Sequence, residues 1–246
     1  MRVWIVLPAF NEAENLPEIF ESVATVLAQA RLQFSILVVD DGSVDATRAV
    51  LERYATRLPL VFVTHERNRG LARTIETGIT AVLREATDDD IVVTMDADNT
   101  HPPQLIPRMV QVVRAGTDLV IASRYAVGGA EKGVPLMRRF LSKGIGILLK
   151  LRFGLRGICD YSSGYRAYRV SLLRRAIQHY DSRLIEARGF AVMAELLVKL
   201  QAFGPRVAEV PLHLRYDRKR GASKLRLVHT VGDYLILLLA RYSRVV

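Results

Sequence analysis

Cysteine is almost absent from this 246-residue chain: there is one, Cys159. An internal disulfide and a metal site built only from cysteines are therefore excluded. Cys159 is expected to be a small buried hydrophobe rather than a nucleophile. No run approaches ~18 uncharged apolar residues, so no membrane-spanning helix is expected. Met1-Arg2-Val3-Trp4 leads directly into a strand, which argues against a signal peptide. A cytoplasmic protein, peripheral on the cytosolic face of a membrane, fits these absences. The Gly-x-Gly-x-x-Gly of dinucleotide folds is missing after the first strand, as is the Walker phosphate loop. Lysine is missing from the whole acidic front of the molecule. Residues 1–120 hold 11 Arg, no Lys and 17 acids, a net of −6, whereas residues 121–246 hold 24 basic and 8 acidic residues, a net of +16. A basic half attracts nucleic acid, anionic lipid or phosphorylated substrates. It lacks zinc-finger spacing and a ribonucleoprotein aromatic motif, so no nucleic-acid partner is expected.

What is present is organised around Ile91-Val92-Val93-Thr94-Met95-Asp96-Ala97-Asp98. The β-branched run reads as a buried parallel strand over 91–95. Ligands of open α/β sheets sit beyond the carboxyl ends of the strands, where Asp96 and Asp98 emerge. Two residues apart in an extended segment, their side chains share one side. Two such carboxylates repel unless a cation neutralises them, and a hard divalent ion bridging phosphate oxygens does so. A polar loop is the plain alternative for a lone D-x-D.

Further strands are expected at 2–7, 34–39, 60–64 and 118–122. Helices are expected at 13–30, from an N-cap at Ser43 to 57, from Gly70 to 85, and from Pro102 to 115. This alternation predicts a doubly wound, mostly parallel α/β sheet in one domain, 1–246. Within it, residues 1–123 form an acid-rich half and 124–246 a basic half. The first, second and fourth strands end in acids or amides, which accept hydrogen bonds from ribose hydroxyls and base N–H groups. A helix-terminal or turn carboxylate is the alternative for Glu12 and Asp40.

Four front motifs, Pro8-Ala9-Phe10-Asn11-Glu12, Asp40-Asp41-Gly42-Ser43-x-Asp45, Asn68-x-Gly70-Leu71 and Asp96-Ala97-Asp98-x-x-His101-Pro102-Pro103, resemble those of family 2 glycosyltransferases with the GT-A fold. Two rear motifs, Asp160-x-x-Ser163-Gly164-Tyr165-Arg166-Ala167-Tyr168 and Arg218-x-x-Gly221-x-Ser223-Lys224, resemble the polyprenyl-phosphate branch that includes dolichol-phosphate mannosyltransferases. The resemblance implies that Pro8, Phe10, Glu12, Asp40 and Asp41 line the nucleotide-sugar pocket. It implies that residues 1–123 form the nucleotide-sugar-binding half and 124–246 the half facing acceptor and membrane, and that Asp96 and Asp98 hold Mg2+ or Mn2+. Arg124 would lie near the transferring phosphates, with Arg218 and Lys224 in a loop closing over them. Thr100 stands where such enzymes carry Gln, and Ala72 where a second Gly is frequent.

Asp160 is the acid expected to face the reaction centre, either orienting an arginine or pairing structurally with Arg166. Arg138, Arg139 and Ser142 are candidates for an acceptor phosphate. Residues 136–157 mix cations with bulky hydrophobes, and Gly144, Gly146 and Gly154 argue against one rigid helix there. That segment and residues 227–240 are candidates for a membrane surface; core packing is the alternative. A membrane-protein partner would replace the spanning helices that relatives often carry. His65, His179, His213 and His229 show no ligand spacing, and His101 is expected to help the turn before Pro102. The implied reaction is inverting, metal-dependent hexosyl transfer to a polyprenyl phosphate. Mannose from GDP-mannose is the first choice of donor, with UDP-sugars open. A family 2 enzyme acting on a saccharide or glycolipid hydroxyl is the second reading, and a non-catalytic nucleotide-sugar-binding module the third.

Overall fold

In the computed structural model, residues 1–154, 157–218 and 227–239 are described, with the side chains of Leu136, Arg138, Phe140, Ser182, Phe190, Arg218 and 227–230 excepted. Each early apolar run becomes a buried strand: β1 (Val3–Ala9), β2 (Phe34–Asp40), β3 (Leu60–Thr64), β4 (Ile91–Thr94) and β5 (Leu119–Ser123). A short β6 (Ala130–Lys132) follows, then β7 (Arg166–Arg169), β8 (Val207–Pro211) and β9 (His213–Arg215). The main sheet runs β3-β2-β1-β4-β7-β5-β8, and β6 pairs with β9 in a separate two-stranded ribbon. All pairs in the main sheet are parallel except those of β7, which is antiparallel to β4 and to β5. The mostly parallel expectation holds. β7 was not expected because Arg-Ala-Tyr-Arg reads as polar; its Arg166 is nevertheless fully buried.

The helices are α1 (Leu16–Gln29), α2 (Thr47–Ala55), α3 (Leu71–Glu85), α4 (Ile106–Arg114), α5 (Leu136–Phe153), α6 (Val170–Tyr180), α7 (Val192–Gln201) and α8 (Leu227–Leu239). The period of two in β1 divides the core between the two faces of the sheet. Trp4 and Val6 face α3, α6 and α7, whereas Val3, Ile5 and Leu7 face α1 and α4. Each fully buried aliphatic contributes about 1.5–3 kcal/mol relative to exposure. Gly78 lets α3 lie close against β1: a Cβ there would fall 2.6 Å from Val6 Cγ1.

Three local expectations are corrected. Ser43 does not cap α2. Its hydroxyl accepts the Asn11 N–H at 2.8 Å, and Asp45 Oδ1 accepts the Thr47 N–H at 2.9 Å at the start of the helix. Residues 136–153 form one continuous helix despite Gly144 and Gly146. The propensity loss of about 1 kcal/mol per glycine is opposed by burial of Leu149 and packing of Ile145 on the core. Gly154 ends that helix with φ +63°, the left-handed conformation glycine tolerates best. Cys159 is exposed rather than buried.

Candidate active site

The carboxyl ends of β1, β2 and β4 open into a cleft of about 550 Å3 lined by Pro8, Phe10, Glu12, Asp41, Asp96 and Asp98. Two turns frame its floor. Ser43 and Asn11 exchange bonds across the ends of β1 and β2, the Val44 N–H donating to Asn11 Oδ1 at 2.9 Å. Thr47 Oγ1 accepts the Glu12 N–H at 2.9 Å, and Glu12 Oε2 accepts the Asn15 side-chain amide at 2.7 Å. Asp40 and Asp41, adjacent in sequence, point to opposite duties. Asp40 lies beneath the turn, 1% exposed, with Oδ1 accepting the Ser43 N–H at 3.0 Å, and does not line the cleft. Asp41 lines it while holding the loop before α3. Its Oδ1 accepts from the Arg69 N–H at 2.8 Å and lies 2.7 Å from His65 Nδ1; its Oδ2 accepts the Gly70 N–H at 2.8 Å. An ionised carboxylate only accepts, so His65 Nδ1 carries the hydrogen of that bond. His65 Nε2 meets Thr77 Oγ1 at 3.0 Å.

Asp96 and Asp98 both line the cleft, in different settings. The Asp96 carboxylate is 40% exposed, and its backbone N–H donates to His101 Nδ1 at 3.0 Å. Asp98 is 8% exposed, and its Oδ1 accepts from Thr100 Oγ1 at 2.6 Å and from the Thr100 N–H at 3.2 Å. Asn99 adopts φ +62° between them, a left-handed turn that asparagine tolerates. Thr100 thus orients Asp98. His101 shapes the turn as expected, stacks on Tyr165 at 4.9 Å and also lines the cleft, which the sequence reading did not assign. A Cβ on Gly164 would lie 3.3 Å from Asp96 Oδ1, so glycine leaves space beside that carboxylate. Two all-oxygen side chains, one pre-oriented, with open space beside the other, suit a hard divalent cation that takes its remaining ligands from phosphate and water. No group of three His, Cys, Asp or Glu arranged for a metal occurs among the described residues.

Arg124, just past β5, stands at the cleft's rim. Its Nε donates to Asp160 Oδ2 and its Nη2 to Asp160 Oδ1, both at 2.8 Å, and Nη2 also reaches Ser162 Oγ at 2.7 Å. Asp160 is wholly buried and further accepts the Arg124 and Ser163 backbone N–H groups at 3.1 and 3.0 Å. Burial alone would raise its carboxyl pKa. The hydrogen bonds and charge of Arg124 outweigh that and hold it below the usual range, while the same pair raises the Arg124 pKa. Of the two partners weighed for Asp160, the structure places Arg124. Arg166 instead donates to Met193 O at 2.6 Å and Tyr161 O at 2.7 Å.

Behind Arg124 lies a second cavity, about 640 Å3, between α5 and the start of α8. Arg124 and Ser162 line both cavities. Arg139 and Ser142 line the second with Tyr125, Lys143 and Lys150. Ser142 Oγ lies 3.3 Å from Ser162 Oγ and accepts from the Tyr125 hydroxyl at 3.2 Å. Arg139 Nε sits 3.0 Å from Glu131 Oε2, and Arg124 Nη1 sits 3.4 Å from Glu131 Oε1. Glu131 was missed from the sequence because nothing in Ala130-Glu131-Lys132 marks it as inward-facing; the β6–β9 pairing turns it inward. Arg218 ends a short 3-10 turn, Tyr216–Arg218, that begins at the cleft. The turn is anchored by Asp217, whose oxygens take two bonds from Arg215 at 2.9 Å and lie 3.5 Å from Lys132. The Arg215 hydrogen bond holds the Asp217 carboxyl well below its usual range. Lys224 lies outside the described residues, as do the side chains of Arg138 and Arg218.

The mostly parallel sheet, with an acidic pair at the carboxyl edge of its central strands, has the arrangement of the GT-A fold. Residues 4–176 match the model described as Glycosyl transferase family 2, and the chain belongs to that family. It is 32% identical over 236 residues to a dolichol-phosphate mannosyltransferase of Pyrococcus furiosus, covering 96% of this chain and 62% of that protein's length. It is 35% identical over 226 residues to a polyprenol monophosphomannose synthase of Mycolicibacterium smegmatis, covering 91% and 81%. An undecaprenyl-phosphate 4-deoxy-4-formamido-L-arabinose transferase of Pseudomonas fluorescens is 30% identical, covering 95% and 64%. Among solved structures, glucosyl-3-phosphoglycerate synthase from Mycobacterium tuberculosis, in complex with Mn2+, UDP-glucose and phosphoglyceric acid, superposes with a TM-score of 0.66. It is 21% identical and covers 97% of this chain and 78% of that one, a likeness of fold.

Proposed function

We propose that this enzyme transfers a hexose from a nucleotide sugar to a polyprenyl phosphate at a membrane surface, with mannose from GDP-mannose as the first candidate. The observation that carries the reading is the junction of two cavities at Arg124 and Ser162, an acid-lined cleft on one side and a cation-lined cavity on the other. The relatives named for polyprenyl-phosphate mannose transfer support it; the formamido-arabinose relative keeps the sugar open.

In this reading Pro8, Phe10, Glu12 and Asp41 bind the nucleoside, with Asp40 supporting the turn beneath them. Asp96 and Asp98 hold Mg2+ or Mn2+, which when bound neutralises the diphosphate. The acceptor phosphate enters the second cavity beside Arg139, Ser142 and Lys143. One of its oxygens attacks the sugar C1 in line, the C1–O bond to the diphosphate breaks, and the nucleoside diphosphate leaves with the bonding pair. Configuration at C1 inverts. Arg124, fixed by Asp160 between the two cavities, stabilises negative charge as it moves from acceptor to leaving group. A phosphate monoester has a second pKa of ~6 and is ionised near neutrality, so the nucleophile needs no general base. Arg218 and Lys224 would cover the diphosphate from the loop after β9.

The apolar crest beside the second cavity supports the membrane assignment. Ile147, Leu148 and Leu151 of α5 and Leu235, Ile236 and Leu239 of α8 are exposed. The two helices are tied where Arg152 Nε donates to Leu238 O at 3.1 Å. Apolar side chains flanked by Lys143, Lys150 and Arg152 suit an interface with anionic headgroups. No described helix is long and apolar enough to cross a membrane.

The test is transfer of radiolabelled sugar into organic-extractable lipid by purified protein with polyprenyl phosphate and Mg2+ or Mn2+. GDP-mannose, UDP-glucose and UDP-N-acetylglucosamine are compared side by side. Label in lipid from one donor, abolished by EDTA, is expected. Label found only on soluble saccharide acceptors would overturn the reading.

A further inference from the structure

Glu131 is out of place in a cavity built to attract an anion. Its side chain is 3% exposed. Among the described residues it is the one carboxylate that lines the second cavity. Guanidinium nitrogens of Arg139 and Arg124 lie 3.0 and 3.4 Å from its oxygens, yet neither oxygen has an aligned hydrogen-bond donor among the described residues. The other acids nearby are satisfied and stand behind the wall. Asp160 is bound on both oxygens to Arg124. Glu209 Oε1 accepts the Cys159 and Asp160 N–H groups at 2.9 and 2.8 Å.

The strand that carries Glu131 is also held in place. β6 pairs with β9 in register, Glu131 opposite Leu214, and on the outer side of the ribbon Lys132 reaches Asp217 at 3.5 Å. The backbone beneath Glu131 is thus anchored at the next residue, and Arg139 and Arg124 draw its carboxylate toward the cavity.

We propose that Glu131 is the charge-selecting residue of the acceptor cavity: its carboxylate repels the incoming headgroup in proportion to that group's charge and so lowers the cavity's affinity for a diphosphate more than for a phosphate monoester. The inference rests on the reading of this cavity as the acceptor site. The cations that line the cavity attract both headgroups. Coulomb energy scales with the product of charges, and in a partly desolvated cavity it is not screened as at the surface. A single repelling charge therefore penalises a diphosphate monoester more than a phosphate monoester. For a lipid-linked transferase this separates two headgroups that differ by one phosphoryl group on the same chain.

The experiment measures inhibition by dodecyl phosphate and dodecyl diphosphate of sugar transfer to polyprenyl phosphate. In Glu131→Gln both should bind more tightly than in wild type, the diphosphate by the larger factor, moving the ratio of inhibition constants by about tenfold; Glu131→Asp, which keeps the charge, should stay close to the wild-type ratio. An unchanged ratio in a folded, active Glu131→Gln overturns the proposal. So does a Glu131→Asp whose ratio moves as far as that of Glu131→Gln, since aspartate keeps the repelling charge. If dodecyl phosphate neither accepts sugar nor competes, the acceptor-site reading itself fails, and this inference with it.

Discussion

Arg124 and Asp160 face each other across 36 positions of sequence, two guanidinium nitrogens each 2.8 Å from a different carboxylate oxygen. The carboxylate is fully buried and the guanidinium nearly so. A bidentate pair of this kind fixes a direction as well as a charge. Here the direction places the free face of Arg124 where the two cavities join.

Breaking the pair from the acid side therefore tests positioning. In Asp160→Asn, Arg124 keeps its charge but loses its fork partner. Removing one member of a buried pair costs about 3–5 kcal/mol. The expected outcome is a lowered melting temperature together with a fall in kcat of about a hundredfold, ~2.7 kcal/mol. Arg124→Lys should lower kcat similarly while keeping a charge, since an ammonium cannot reproduce the fork. Steady-state kinetics and thermal unfolding of both variants check this.

The bond from Thr100 to Asp98 predicts a metal phenotype. Thr100→Val keeps the shape and deletes the hydroxyl that donates to Asp98 Oδ1 at 2.6 Å. Loss of an outer-shell partner typically weakens metal affinity by about 10–100-fold. The Mn2+ activation curve should shift to higher concentration by that factor, with most activity recovered at saturating metal. Asp98→Ala should not recover. Titration of transfer activity with Mn2+ distinguishes them.

How much of this was legible follows from which residues speak locally. The first five strands are apolar runs ending in turn chemistry, so their order and parallel pairing could be read, and with them the acids that emerge at their ends. β7 could not be read, because Arg166 and Arg169 disguise a buried strand; Arg166 is satisfied by the carbonyls of Met193 and Tyr161, which only the fold supplies. The division of labour between Asp40 and Asp41 was equally hidden, since adjacent strand-end carboxylates look alike until the loop before α3 wraps around one of them. Glu131 became visible only through the β6–β9 ribbon, a pairing of three residues with no periodic signal.

Asp41 holds that loop, and its loss should show in binding rather than chemistry. Asp41→Asn keeps the size but replaces one accepting oxygen with an amide. At least one of the Arg69, Gly70 or His65 contacts is then unsatisfied, at about 1–3 kcal/mol. Donor KM should rise at least tenfold, with kcat within a few-fold of wild type and a lowered melting temperature. Equal losses in kcat and kcat/KM would mean that Asp41 acts on the transition state instead.

The pH profile separates acceptor from protein. Asp160 has a lowered folded pKa, so its contribution to stability is complete above the ordinary carboxylate value of ~3.9 and is lost only as pH falls through the lowered one. Asp160 cannot then set an acid limb near neutrality. The acceptor phosphate can, with its second ionisation near ~6. The rate of transfer at subsaturating acceptor should fall below about pH 6. Replacing the phosphate acceptor by a phosphonate, whose second ionisation lies higher, should move that limb upward. A limb unmoved by the acceptor would place it on a protein group.

Exposed apolar residues in two helices that hold each other separate membrane capture from catalysis. Leu151 is 78% exposed on α5 and Ile236 is 70% exposed on α8. Neither contributes to the core, so Leu151→Asp and Ile236→Asp should leave the melting temperature unchanged. A charge placed at the interface opposes insertion and is repelled by anionic headgroups. The double variant should sediment with phosphatidylglycerol vesicles at least tenfold less than wild type. It should also lose transfer to long-chain polyprenyl phosphate in those vesicles while keeping transfer to a short, water-soluble isoprenyl phosphate. Equal loss on both acceptors would mean that the crest shapes the second cavity rather than docking it. Unchanged vesicle binding would place the lipid contact elsewhere on the basic half.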